Sequence, residues 1–411
     1  MKSLLLARVL LPLAAAACTG EPELDFSHDD PWHQGPSHPP LGSGRIVVTN
    51  SMDDTVSLLP LDGVGGTDWA ELARVPVGLN PVELEGPHHA AFSPRGDFYY
   101  VGLSYSVPGA GSGPHGAHGT GTADGYCLKL DARTNRLVAS TRVDRNPGDL
   151  ILNRDGTTLY QTHFDLLRVQ EVAQRGGTAA EMNATLALID TASMKVKAKV
   201  SVCPAPHAVR LSPDETRAYV ACISDEVAVV RLDDPTFPVT RVALPQAGTA
   251  VAPRHSPYAL TTTPEGGVWV STLNGPTVYY LDPTSQRIQM ERSVVPEGGD
   301  ALRQGIPMFG AASDDGRTLY MPYQRIDTVA IIDVSGSRPV VQGRVDLAAE
   351  GCLNVHQVAL LPGGKRALAV CEGDHVGPGT LHVVNLETQA VEKTVQVGIY
   401  PDSVGILGSG R

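Results

Sequence analysis

Cysteine and histidine recur in this chain at a spacing that could serve either metal binding or disulfide formation. Cys203-Pro-Ala-Pro-His207 is followed by Cys222, and Cys352-Leu-Asn-Val-His356 by Cys371. In each unit the histidine stands four residues after the first cysteine and the second cysteine nineteen after it, and the units lie 149 positions apart. Thiolate and imidazole are ligands of Zn and Cu, but neither unit has the short Cys-x2-4-Cys spacing of zinc sites. The pairs Cys203/Cys222 and Cys352/Cys371 are read instead as disulfides, each within one structural unit and formed in an oxidising compartment. Cys127 is left without a partner and is expected to be buried. The absence of Cys-x-x-Cys-His excludes covalently attached c-type haem.

The histidines offer the second chemistry, and a repeat positions them. Seven times the chain shows an anchor dipeptide, usually Pro-X, leading into a short apolar run: Pro87-His88, Pro147-Gly148, Pro206-His207, Pro257-Tyr258, Pro307-Met308, Val355-His356 and Pro401-Asp402. About six residues later comes a turn cluster such as Ser93-Pro-Arg-Gly, Ser212-Pro-Asp or Ser313-Asp-Asp-Gly, whose residues supply the backbone angles of a tight hairpin. An aromatic or β-branched strand follows (Phe98-Tyr-Tyr-Val, Ala218-Tyr-Val, Val268-Trp-Val), then a third strand ending at Asp131, Asp190, Asp233, Asp282, Asp333 or Asn385, then a fourth. These terminal Asp residues read as turn formers. Four short strands per unit without sustained helical periodicity describe a β-propeller blade.

The count closes a ring. Arg45–Asn50 and Thr55–Asp62 are a second and third strand lacking a first, while Pro401-Asp-Ser-Val-Gly-Ile-Leu is a first strand lacking the rest. Pairing them gives an all-β, seven-bladed propeller of four-stranded antiparallel blades over residues 44–408, with its edges protected by closure.

On these residues the chain resembles the YVTN (YncE-like) β-propeller repeat family: Pro-His-x3-Leu-Ser-Pro-Asp, then Tyr-Val-x-Cys, then a Val-rich strand ending in Asp. The resemblance covers about residues 44–408 and implies the fold, while such propellers host many unrelated roles. It also implies a bland use for a histidine after the proline, which would hydrogen-bond the backbone of the neighbouring blade.

In such a ring the residue after each anchor lines the mouth of the central channel. His88, His207, His356 and Asp402, with Met308 nearby, could therefore hold Cu or another transition metal. Copper-dependent propellers such as nitrous oxide reductase gather axial histidines in a similar way, although that enzyme's remaining ligands and second copper domain are not recognisable here. Nine of the ten histidines outside the N-terminal segment are expected on one face, together with the long segments 104–124, 164–182 and 372–379. His115 and His118, in a Gly-rich loop, read as solvated.

Residues 1–17 carry Lys2, Arg8, an apolar stretch and Ala15-Ala-Ala, the pattern of an export signal. Cys18 would then carry a bacterial lipid anchor, with ordinary cleavage after Ala17 as the alternative, and 18–43, rich in Pro, Gly and His, would form a flexible tether. A net charge of −12 argues against nucleic acid and anionic membrane surfaces as partners. No nucleophile elbow, phosphate loop or HExxH is present. The chain therefore reads as a monomeric envelope protein, in the periplasm or on the outer membrane, that binds a protein or small ligand on its loop-rich face. The alternative is a metalloprotein or enzyme, copper-type redox or lactonase-like, with its site at the axis. A periplasmic electron-transfer partner similar to amine-dehydrogenase heavy chains is a third reading.

Overall fold

The computed structural model describes residues 45–61, 69–80, 84–105 and 118–407. The export signal, Cys18, the tether and His115 lie outside the described residues. The strands form seven sheets of antiparallel neighbours arranged as the blades of a propeller. Blade one joins the chain ends: its innermost strand is Pro401–Ile406, followed outward by Arg45–Asn50, Thr55–Pro60 and Ala73–Pro76. Val48 pairs with Val404 and Ile46 with Ile406, which closes the ring as the strand count requires.

Hydrophobic packing follows the period-2 alternation of each strand, which sends successive side chains to opposite faces of a blade. Ile46 and Val48 pack against blade seven, whereas Val47 between them packs against blade two. Seven buried clusters result, centred on the seven blade-to-blade interfaces. Cys127 sits in the cluster between blades two and three, where burial pushes its thiol up to about 12, so it is an inert apolar group.

Both disulfides are present, with Cα–Cα separations of 5.9 Å for Cys203–Cys222 and 5.5 Å for Cys352–Cys371. One departs from the expected placement. The outermost strand of blade three, Lys195–Pro204, runs on past a slip in its pairing between Ser201 and Cys203, so Cys203 belongs to that strand and its bridge to Cys222 staples two blades together. Cys352 lies in the connection that leads into blade seven, and its bridge closes within that blade. Two disulfides fit a chain that folds in an oxidising, non-cytoplasmic compartment.

Candidate metal centre in the axial channel

A backbone device aims the anchor side chains inward. The residue before the anchor is left-handed in six blades: Gly86, Asn146, Ala205, Ser256, Asn354 and Tyr400, with φ between 42° and 60°. Immediately afterwards the pairing of first and second strands slips, between Pro87 and Ala90, Pro147 and Leu150, Pro206 and Val209, Pro257 and Ala259, and Val355 and Gln357. Such a bulge breaks the strict alternation of a strand, so two successive side chains can face the same way. His88 and His89 both reach the axis for this reason. Gly148, in blade three, is demanded by closeness: a Cβ there would lie 2.7 Å from Thr162 Oγ1 and 3.3 Å from His207 O.

Blade six breaks the pattern. Gly305 has φ −94°, and the innermost strand is split into Ile306–Pro307 and Ala311–Ala312. The axial position therefore shifts by one residue. Met308, expected to offer its thioether to the axis, packs in the apolar cluster of blades four to six. Phe309 takes its place, with ring centroids 5.1 Å from His89, 5.5 Å from His356 and 5.7 Å from His207.

Each of the three expected axial imidazoles makes the same outward bond. Nδ1 of His88 donates to Pro147 O at 3.1 Å, Nδ1 of His207 to Tyr258 O at 3.1 Å, and Nδ1 of His356 to Asp402 O at 2.5 Å. All three acceptors belong to the next blade, as the bland reading anticipates. The bond also selects the tautomer. A neutral ring with its proton on Nδ1 carries its lone pair on Nε2, which is how outer-shell partners prepare a metal-binding histidine. His89 is prepared by a carboxylate instead: its Nδ1 lies 3.1 Å from Asp149 Oδ1. The Nε2 atoms of His89 and His207 are buried and make no hydrogen bond.

The four expected ligands meet at the axis but divide into overlapping groups. One ring nitrogen from each of His88, His89 and His207 falls within 4.8 Å of the others, as do donor atoms of His88, His118 and Asp402, and of His356, Glu372 and Asp402. Asp402 is central. Its Oδ2 lies 3.0 Å from His88 Nε2 and 3.7 Å from His118 Nε2, while its Oδ1 lies 2.8 Å from His356 Nδ1. A fourth group, Cys352, Cys371 and His382, offers no thiolate because its cysteines are bonded to each other.

Charge is unevenly distributed across this cluster. Burial pulls the His88 and His356 imidazoles toward neutrality, but the Asp402 carboxylate outweighs it and raises both. For Asp402 burial acts upward, and the surrounding imidazoles, His88 foremost, hold it well below the carboxylate range. His207 has no such partner: burial and then the neighbouring imidazoles push it well below its ordinary value, so it is neutral. His89 is also lowered, by burial against the opposing pull of Asp149. Burial would raise Asp149, but the Arg210 guanidinium beside it and then His89 keep it ionised. Glu372 is pushed well above the carboxylate range, by burial despite the opposing pull of His356 and with Asp402 adding to it.

His118, expected to be solvated, is buried, with its ring 4.4 Å from His88 and 5.3 Å from Tyr400. Nothing in its Gly-rich surroundings signals this long-range placement. His89, Asp149 and Glu372 had no place in the expected ligand set. Glu372 left a trace, as a carboxyl directly after the apolar strand Ala367-Leu-Ala-Val-Cys371. The remaining histidines on the loop-bearing face serve local structure: His255 bridges Pro245 O at 2.8 Å and Tyr279 Oη at 3.1 Å, and His163 bonds Thr185 O at 3.0 Å.

The comparisons with known proteins speak to the fold. No protein-family model matches the chain, and no curated protein matches it in sequence. Solved structures do. A functionally unknown protein from Desulfotomaculum acetoxidans superposes with a TM-score of 0.63 at 13% identity, covering 90% of this chain and 100% of that one. The periplasmic gluconolactonase of Pseudomonas aeruginosa gives 0.61 at 16%, with 89% and 99% covered. A Bacteroides uniformis protein provisionally named a 6-phosphogluconolactonase gives 0.60 at 15%, again with 89% and 99% covered. The chain is a seven-bladed β-propeller. At these identities the likeness carries the architecture and no residue role.

Proposed function

We propose that this chain is an exported β-propeller that holds a transition-metal ion, Cu or Zn in class, inside its axial channel on His88, His89 and His207. The observation that supports this most directly is the pair of buried, unbonded Nε2 atoms on His89 and His207, each on a ring whose Nδ1 is already committed outward. A buried polar atom without a partner is costly, and three imidazole nitrogens at this spacing form a donor set that suits Zn and Cu. Export is supported by the disulfides, and the N-terminal signal with Cys18 as a lipid-bearing residue would complete it.

A lactonase-like hydrolase is the reading suggested by two of the similar structures. The burial of the axial imidazoles, none more than 4% exposed, weighs against an ion that must meet a sugar ring. The propeller then serves as a scaffold around the ion, with its loop-bearing face available to a protein or small-molecule partner.

Metal analysis of the untagged, full-length protein tests the proposal. About one equivalent of Cu or Zn is expected, lost in a His88→Ala, His207→Ala variant that keeps its circular dichroism. Saturation with the ion at about 100 times its Kd is expected to stabilise the wild type by about 2.7 kcal/mol. Trace metal only, with melting unchanged by added Cu²⁺ or Zn²⁺, would sink the reading.

A further inference from the structure

The three-imidazole centre leaves the other side of the axis unexplained. There Asp402, Glu372 and Gln324 are fully buried beside His356. They come from three blades: Gln324 ends the second strand of blade six, Glu372 follows the second strand of blade seven, and Asp402 is the second residue of the first strand of blade one. Two oxygens stand without a hydrogen bond. Asp402 Oδ1 is one, because the neighbouring His356 Nδ1–H, 2.8 Å away, is directed to the main-chain carbonyl of Asp402. Gln324 Oε1 is the other, its amide nitrogen being engaged with Glu372 Oε1 at 3.3 Å.

We propose that this pocket of oxygens is a second cation position, held by Asp402 Oδ1, Glu372 and His356, with Gln324 Oε1 as a neutral oxygen ligand. Donor atoms of the first three already lie within 4.8 Å of one another. Glu372 is oriented by His375, whose Nε2 lies 3.0 Å from Glu372 Oε2 and whose ring stacks on Tyr400 at 3.7 Å. That is the outer-shell support a ligating carboxylate needs. Two carboxylate oxygens, an amide oxygen and one imidazole form a harder set than the three imidazoles opposite, and select Mn²⁺ or a similar divalent ion. Asp402 connects the two positions: its Oδ2 faces His88 of the imidazole set while Oδ1 faces the second ion. The channel thus offers a soft and a hard position side by side.

Titration of chelator-stripped, full-length protein with Mn²⁺, followed by calorimetry and by the electron paramagnetic resonance of free Mn²⁺, tests this. One Mn²⁺ per chain is expected, with binding weakened at least about tenfold in Glu372→Gln and unchanged in His207→Gln. If Glu372→Gln does not fold, Gln324→Met removes the neutral oxygen together with the amide donor to Glu372 Oε1 and is expected to weaken Mn²⁺ about tenfold in the same titration. No Mn²⁺ uptake by the wild type, or wild-type affinity in folded Glu372→Gln or Gln324→Met, overturns the proposal. Mn²⁺ uptake by a wild-type protein that takes up no Cu or Zn would overturn the three-imidazole centre while sustaining this one, so the two fail separately.

Discussion

The two units Cys203–His207–Cys222 and Cys352–His356–Cys371 share spacing, a disulfide and a histidine whose Nδ1 bonds the next blade, yet their surroundings push the two imidazoles in opposite directions. His207 lies flat on Tyr258, with centroids 3.7 Å apart and planes 16° from parallel, and is driven neutral by burial and neighbouring rings. His356 faces the Asp402 carboxylate, which overcomes burial and raises it. What differs is the anchor residue of the following blade, Tyr258 in one case and Asp402 in the other. In a closed ring each blade supplies a side chain whose chemistry its neighbour decides, so an identical motif yields a neutral ligand at one place and half of an ion pair at another.

Removing the carboxylate should break this contrast with the largest effect. In chelator-stripped protein Asp402→Asn takes the common partner from His88 and His356, and losing one member of a buried ion pair costs about 3–5 kcal/mol. The sign of its pH dependence follows from the two directions of shift. The raised histidines contribute stability that is fully present below their unfolded value of about 6.5 and is lost as pH rises through their folded values. The lowered Asp402 contributes stability present above its unfolded value of about 3.9 and lost as pH falls through its folded one. Chemical denaturation should therefore show the largest gap between wild type and Asp402→Asn at about pH 4–6.5, narrowing toward alkaline pH. A gap that widens above pH 8 would refute the pairing.

The disulfides probe the same comparison at a smaller scale. Each closes a loop of equal sequence separation, 19 residues, so the chain-entropy argument assigns both the same stabilisation, about 3 kcal/mol. Cys203→Ala with Cys222→Ala and Cys352→Ala with Cys371→Ala should accordingly shift urea unfolding alike, although one bridge joins two blades and the other closes within one. A difference of more than about 1 kcal/mol would mean that native-state packing at the blade junction, beyond loop entropy, sets the bridge's worth.

Why some of this was legible in the amino-acid order, and some was not, comes down to locality. The anchors, hairpin turns and Val-rich strands are local signals, and the orphan strands at Arg45–Pro60 and Pro401–Ile406 demand each other because an unpaired edge is costly. His88, His207, His356 and Asp402 could be placed at the axis because one residue after each anchor obeys one geometry. The failures are where that geometry bends. The bulge after Pro87 brings in His89, which strict alternation would turn away. Gly305, lacking the left-handed turn, moves Phe309 into the place assigned to Met308. His118 and Glu372 reach the axis from loops, where no periodicity constrains direction. Cys203 bridges two blades instead of closing within one because the last strand of blade three extends through a pairing slip to Pro204 before the chain enters blade four.

The smallest perturbation tests whether the neighbouring anchor or the interior itself sets the charge of His207. Tyr258→Leu removes the ring stacked on His207, worth about 0.5–1.5 kcal/mol beyond its buried area. The phenol contributes no charge that would hold the imidazole neutral; burial comes first, followed by His88, His89, His118 and His356. Nitrogen-15 spectra of labelled histidine should therefore find His207 neutral at pH 6 in both proteins, with its proton on Nδ1 and donated to residue 258's carbonyl, which the substitution leaves in place. In chelator-stripped protein under the same conditions His356 should be the protonated ring. If Tyr258→Leu instead lets His207 protonate at pH 6, the tyrosine has been excluding water or an anion from the channel. Its neutrality would then belong to the anchor of blade five, as the charge of His356 belongs to that of blade one.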